Sequence, residues 1–302
     1  MAFHDAPAVL RFNPHVRTGY RAGCSSYARC LCSVLELHNE TGNIVSHLVP
    51  ALLGLAAVAS GARPWEGAAA AWWANVVSTL LCFAASVAYH TCLPVTSTYH
   101  RFLKLDVSFQ QRQRQAGVGV KSWSALDTVN GSESPPGGLQ VLAVLGVLVL
   151  GGHTQLAWGL HCAPGLRAAF LCLYHLVGLG CVHAALTAAT PLRRAAPMGV
   201  LLLIRLASLA ARLAIGQGGG GLRHYLWMEG LSLAGGVINA ARLPERWLQP
   251  ADRRAPAPLD LVANSHQIMH VMVAGALWLL HRGLEADSRV LAALRAGAAV
   301  CL

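Results

Sequence analysis

The chain has 302 residues, of which 55% are hydrophobic and only 12% charged, where an ordinary soluble domain carries roughly 25% charged residues. That balance excludes a soluble globular domain and leaves an integral membrane protein. The net charge of +10 with neutral histidines does not point to nucleic acid, because lysine and arginine avoid the long apolar blocks, where they set orientation and meet anionic lipid.

The chain begins with Met-Ala-Phe-His-Asp-Ala-Pro and continues without an apolar core behind a basic start, so residues 1–42 read as a cytosolic segment and not as a cleaved signal. A spanning helix needs about 20 mainly apolar residues. Segments near 43–61, 70–93, 139–159, 166–190, 197–215, 225–241 and 262–281 meet or approach that length, which predicts seven spans. The fold class expected is therefore an all-α membrane protein, a seven-helix bundle over 43–285 with a short tail at 286–302. Lysine and arginine decide its orientation. Fifteen of them, including Arg11, Arg17, Arg21, Arg29, Arg101, Lys104, Arg242 and Arg246, fall in segments that share a side with the N-terminus, and six fall opposite. The N-terminus is thus expected in the cytosol and the C-terminus in the lumen or outside the cell.

Between the second and third spans, residues 107–138 are rich in Gln, Arg and Ser and close on Pro135-Pro136-Gly137-Gly138, a polar insertion expected to be disordered. Asn39-Glu-Thr41 and Asn130-Gly-Ser132 are glycosylation triplets that this topology leaves unmodified. Gly216 to Gly221 joins two spans and reads as a flexible linker, since no strand precedes it as in a phosphate loop. The nine cysteines show no paired spacing and imply no disulfide framework. Arg212 and Glu229 have depths that suit an ion pair between the fifth and sixth spans, whereas Arg205 has no evident partner.

Given this orientation, His90 ends the second span at the cytosolic edge, and His266 and His270 open the seventh at the same edge. His266 and His270 stand at i and i+4, on one face of a helix. Ser86 stands in the same relation to His90. Three imidazoles from two distant segments, with Asp106 near the same boundary, have the composition of a catalytic Zn²⁺ site with one position left for water. Asp106 is the candidate general base and Ser86 a candidate to orient water or donate to an oxyanion, with Asp127 as an alternative carboxylate. His47, His153, His175, His183 and His224 read as hydrogen-bonded interior residues. A transporter is disfavoured because the polar groups gather in one leaflet and do not line a path across.

Four stretches carry a resemblance: Thr18-Gly-Tyr-Arg21, His38-Asn-Glu-Thr-Gly-Asn-Ile-Val-Ser-His47, Ser86-Val-Ala-Tyr-His90 and Asn264-Ser-His-Gln-Ile-Met-His270. With Ala241-Arg-Leu-Pro-Glu-Arg-Trp247, they resemble the progestin and adipoQ receptor family, which is related to the adiponectin receptors and the alkaline ceramidases. The resemblance implies seven helices, an inside N-terminus, a zinc on His90, His266 and His270, and residence in the Golgi or plasma membrane. It also implies one of two roles. One is hydrolysis of the ceramide amide, or other action on sphingolipid, through zinc-activated water. The other is a receptor or scaffold in which a structural zinc joins the second and seventh helices. The chain departs from the pattern after Asp106, where the insertion separates the family's third-helix aspartate from the apolar run that resumes at Leu139.

Overall fold

The computed structural model describes residues 1–7, 10–23, 26–65, 68–94, 155–187, 191–248 and 257–298. Asp106, Asp127, His153 and the insertion at 107–138 lie outside the described residues. Among the described residues the regular structure is helical, without a strand. A short helix α1 (Tyr27–Ser33) precedes α2 (Thr41–Ala59) and α3 (Ala69–Cys92). After a helical turn at 155–159 come α4 (Pro164–Thr187), α5 (Pro191–Ala214), α6 (Leu222–Ala241), the single turn α7 (Glu245–Leu248) and α8 (Ser265–Arg295).

Helices α2, α3 and the first 18 residues of α4 are long and apolar enough to cross a membrane by length and composition. Their outward faces are what lipid requires. Val45, Val49, Leu52 and Leu53 on α2 and Leu176 and Leu179 on α4 are all exposed, an apolar extent that a water-facing surface rarely carries.

The core lies where α8 packs along α6 and against α2, with Phe83 of α3, Leu209 of α5, Tyr225 and Met228 of α6, and Leu277, Leu280 and Leu284 of α8 buried together. At 31 residues α8 is the longest helix among the described residues, about 46 Å at 1.5 Å per residue, so it exceeds the roughly 30 Å of a hydrocarbon core. It runs on to Arg295, past the apolar run that ends near 281. Arg282, Glu285 and Arg289 form pairs of 2.5 Å along that extension, at the i,i+3 and i,i+4 spacings that stabilise a helix in water.

Two buried ion pairs tie the far end of the bundle. Arg205 on α5 pairs with Glu229 on α6 through two hydrogen bonds of 2.7 Å. Arg212 pairs with Asp287 on α8 through bonds of 2.8 and 2.7 Å. This corrects the expected Arg212 to Glu229 pair. In an antiparallel hairpin turning at Gln217, Arg205 and Glu229 are level because they are equally distant from the turn, while Arg212 lies beside α8's extension.

The turn at 216–221 is also not a free linker. Arg212 donates to the carbonyls of Gln217 and Gly219, and the N–H of Gly221 donates to Asp287. Gly220 has φ +61°, and a Cβ there would lie 2.4 Å from Asp287 Oδ1, so glycine serves shape and not slack. The Tyr225 hydroxyl completes the Asp287 shell at 2.9 Å. Nearby Cys162 is disulfide-bonded, contrary to the expectation of free thiols, and its partner lies outside the described residues. Cys30, Cys32, Cys82, Cys92, Cys172 and Cys181 are free.

Candidate metal centre

Asn264 builds the start of α8 by accepting the N–H of Gln267 as N-cap, which satisfies one of the helix's orphan donors. The first two turns can therefore present His266 and His270 on one face. The Gln267 amide donates to the carbonyls of Asn39 and Leu261. Gly42 makes room for it, since a Cβ there would lie 2.5 Å from the Gln267 carboxamide. The N-terminus of α2 is thus held directly against the first turn of α8.

The last turn of α3 brings His90 to the same place. The candidate ligand atoms of His90, His266 and His270 all lie within 4.8 Å of one another, and the ring centroids are 4.8 to 5.4 Å apart. Tetrahedral zinc with bonds of 2.0 to 2.1 Å asks for nitrogens about 3.3 Å apart, a contraction within reach of rotamer adjustment.

The ring nitrogens not needed for an ion test the fit. His90 Nδ1 lies 2.7 Å from Glu40 Oε2, and because an ionised carboxylate can only accept, Nδ1 carries the proton and Nε2 keeps its lone pair. That Nε2 is buried without a hydrogen-bond partner. His266 Nδ1 lies 3.1 Å from Asn239 Oδ1, which orients the second ring the same way. Oxygen acceptors behind ligating imidazoles are the usual outer support of a metal site. The residues present therefore fit a divalent cation that takes imidazole nitrogen, and zinc is one such cation.

Glu40, at the N-cap of α2, is the residue that sequence reasoning missed. It is buried, and it accepts from His90 and from Asn43 Nδ2 at 2.8 Å. Burial opposes its charge, yet the His90 and Asn43 hydrogen bonds hold its carboxyl down at about 2. The available signal was a carboxylate just ahead of an apolar run on the side richer in basic residues, the same signal used for Asp106.

Arg21 supports the end of α3. Its guanidinium donates to the carbonyls of His90 at 2.5 Å and Thr91 at 3.0 Å, and to Ser33 Oγ at 2.9 Å. These carbonyls lie at the end of α3, where a cation suits the helix dipole. The N-terminal segment packs beneath. Asp260 accepts the N–H groups of Arg17 and Thr18 and the Thr18 hydroxyl, while Glu245 accepts from Asn13 and from Ser265. Phe12 reaches His266 with ring centroids 5.8 Å apart.

Of the other expected groups, Ser86 is buried on α3 one turn before His90; among the described residues no hydrogen bond ties it to the three imidazoles. His47 is an interior residue, with its ring 4.2 Å from that of His270. His175 is exposed and bonds the carbonyl of Leu171 in its own helix; His183 is exposed as well, and His224 is half-buried.

Comparison with known proteins decides the family. The chain is 33% identical to human progestin and adipoQ receptor family member 4, over 94% of this chain and 91% of that protein. The chain belongs to the progestin and adipoQ receptor family. A mouse protein of the same description is 34% identical over the same shares. The adiponectin receptor protein of Drosophila melanogaster is 22% identical over 94% of this chain and 58% of that receptor. Residues 35–108 also match the family model described as haemolysin-III related. That stretch contains Glu40, Ser86 and His90.

Proposed function

We propose that this family member is a seven-helix zinc protein of the membrane that acts on sphingolipid, hydrolysing the ceramide amide. One observation carries the reading: three buried or half-buried imidazoles converge, two of them with their second nitrogen bound to an oxygen acceptor. A zinc ion bound there would lower the pKa of water from 15.7 to about 7 and polarise an amide carbonyl. His90, His266 and His270 would hold it, and Glu40 and Asn239 would keep two of the rings turned to it. In this reading Asp106 accepts the proton of the attacking water and returns it to the leaving amine. The Ser86 hydroxyl donates to the oxygen that gains charge.

The orientation proposed is N-terminus in the cytosol and C-terminus on the lumenal or outer face. The excess of basic residues on the N-terminal side supports it. So does the Cys162 disulfide, because disulfides persist in oxidising compartments. Cys162 lies at the end of the bundle that carries Arg212 and Asp287, roughly 25 Å along α8 from His270. A Golgi or plasma-membrane location agrees with this, and in the proposed orientation the histidines would lie in the cytosolic leaflet, where a lipid amide can arrive laterally.

A second reading keeps the zinc and drops the turnover. The relatives are named as receptors, and a zinc that joins α3 to α8 would serve a receptor whose ligand shifts their packing. Release of sphingosine and fatty acid from ceramide by the purified protein separates the two. Release that needs the metal and disappears in Asp106→Ala supports the hydrolase. Zinc-loaded, folded protein with no turnover of any ceramide supports the receptor.

A further inference from the structure

Two buried acceptors on α2 have no assigned use. Asn43 Nδ2 donates to Glu40 Oε2 at 2.8 Å, which fixes the amide, because the carboxylate only accepts. Asn43 Oδ1 is then left buried and without a hydrogen-bond partner. His47 Nε2 lies 3.2 Å from the carbonyl oxygen of His270, so the proton sits on Nε2 and Nδ1 is a lone pair. That Nδ1 is also buried and without a partner.

Residues 43 and 47 stand at i and i+4, one turn apart on one helix face. Through Glu40 the first is coupled to His90, and the second stacks on His270. Both side chains are more than nine-tenths buried, at 1% and 4% exposure. A buried acceptor left unmade is costly, and native proteins tolerate one chiefly where a ligand or a functional constraint explains it. Two on one face beside a candidate metal centre match a ligand that brings two donors.

We propose that Asn43 Oδ1 and His47 Nδ1 form a two-point acceptor site for the N–H and O–H donors of a lipid amide seated at the histidine centre. The choice of ligand rests on the sphingolipid reading, in which the donors are the amide N–H of ceramide and a neighbouring hydroxyl. An ester or an N-alkylated amide leaves one acceptor unpaired and is selected against.

The test is binding of a short-chain fluorescent ceramide and of its N-methyl analogue to the full chain in lipid nanodiscs, with zinc content measured alongside. Wild-type protein is expected to prefer the N–H form about tenfold, the scale of one buried hydrogen bond. With zinc in excess so that the centre stays loaded, His47→Leu and Asn43→Leu lose the preference. His47→Gln keeps it, because glutamine can donate to the His270 carbonyl and still offer an oxygen. Equal binding of both probes by wild type, or a preference that survives both leucine variants, overturns the proposal. Should His47→Leu shed its metal or unfold, the preference must be lost in Asn43→Leu and kept in His47→Gln, and any other pattern counts against it. If wild type takes up no ceramide, the sphingolipid reading falls alone. The acceptor pair is then judged on an N-acylethanolamine and its N-methyl form, where a preference for the N–H form supports it and equal binding refutes it.

Discussion

His90 is fixed from both ends, its ring by Glu40 and its backbone carbonyl by Arg21. The Glu40 contact is the one whose loss should be felt by a metal, since supports of this kind are typically worth 10 to 100-fold in affinity. Glu40→Ala is expected to weaken zinc binding by about that factor in a chelator competition while α2 and α3 stay folded; unchanged affinity would show that Glu40 is only a helix cap. His38 supplies a pH dependence. Its Nε2 donates to the Ser33 carbonyl and its Nδ1 accepts the Glu40 N–H, so a second proton has no place to go. Burial, with Arg21 nearby, pushes its pKa from 6.5 down to about 4. Between those values the unfolded chain binds the proton more readily, so its share of the stability is full above 6.5 and is lost as pH falls toward 4. Thermal unfolding in detergent at pH 7 and pH 5 should show a smaller loss of Tm in His38→Gln than in wild type. The three histidines that meet were legible because i,i+4 spacing and the lysine and arginine asymmetry bring imidazoles together without any knowledge of packing. Glu40 was not, because nothing local distinguishes a carboxylate that caps a helix from one that reaches across to another helix.

At the level of elements, α8 does two jobs. Its first two turns carry two histidines of the candidate centre, and its last turns carry Asp287, which closes the α5 to α6 turn. Both ends of that pairing are essentially fully buried, and removing one partner of a buried pair leaves an uncompensated charge worth about 3 to 5 kcal/mol. Asp287→Ala is therefore expected to lower stability by about that amount, read as a fall in Tm, while Arg212→Met combined with Asp287→Leu should recover much of it. Equal damage from the single and double variants would mean that the turn and not the charge is at stake. The hydropathy pattern ended this helix near 281, since apolar length marks where lipid stops and not where a helix stops. That is also why Arg212 was matched to Glu229: Asp287 lay in a stretch assigned to the tail. The correct partners follow from hairpin geometry, which requires knowing where the turn is.

For the whole molecule, orientation in the membrane and a bound cation decide the proposed function. With the N-terminus in the cytosol, exposed Cys32 on α1 should be labelled by a membrane-impermeant maleimide only after sealed vesicles are permeabilised, in a variant whose other free cysteines are replaced. Labelling of intact right-side-out vesicles would reverse the topology. The same orientation leaves Asn39 unglycosylated, and its side chain is buried in any case. The helical class was readable from composition, and the meeting of the three histidines from their spacing and from the basic-residue asymmetry. The packing of the N-terminal segment beneath them was not, because its contacts, such as Asn13 to Glu245 and Thr18 to Asp260, join positions far apart in sequence. The most direct test of the central claim is metal analysis of the purified chain. Close to one zinc per polypeptide is expected in the wild type, with its loss in His270→Ala while the helices stay intact; metal-free wild-type protein, or zinc retained by the variant, would overturn the zinc centre.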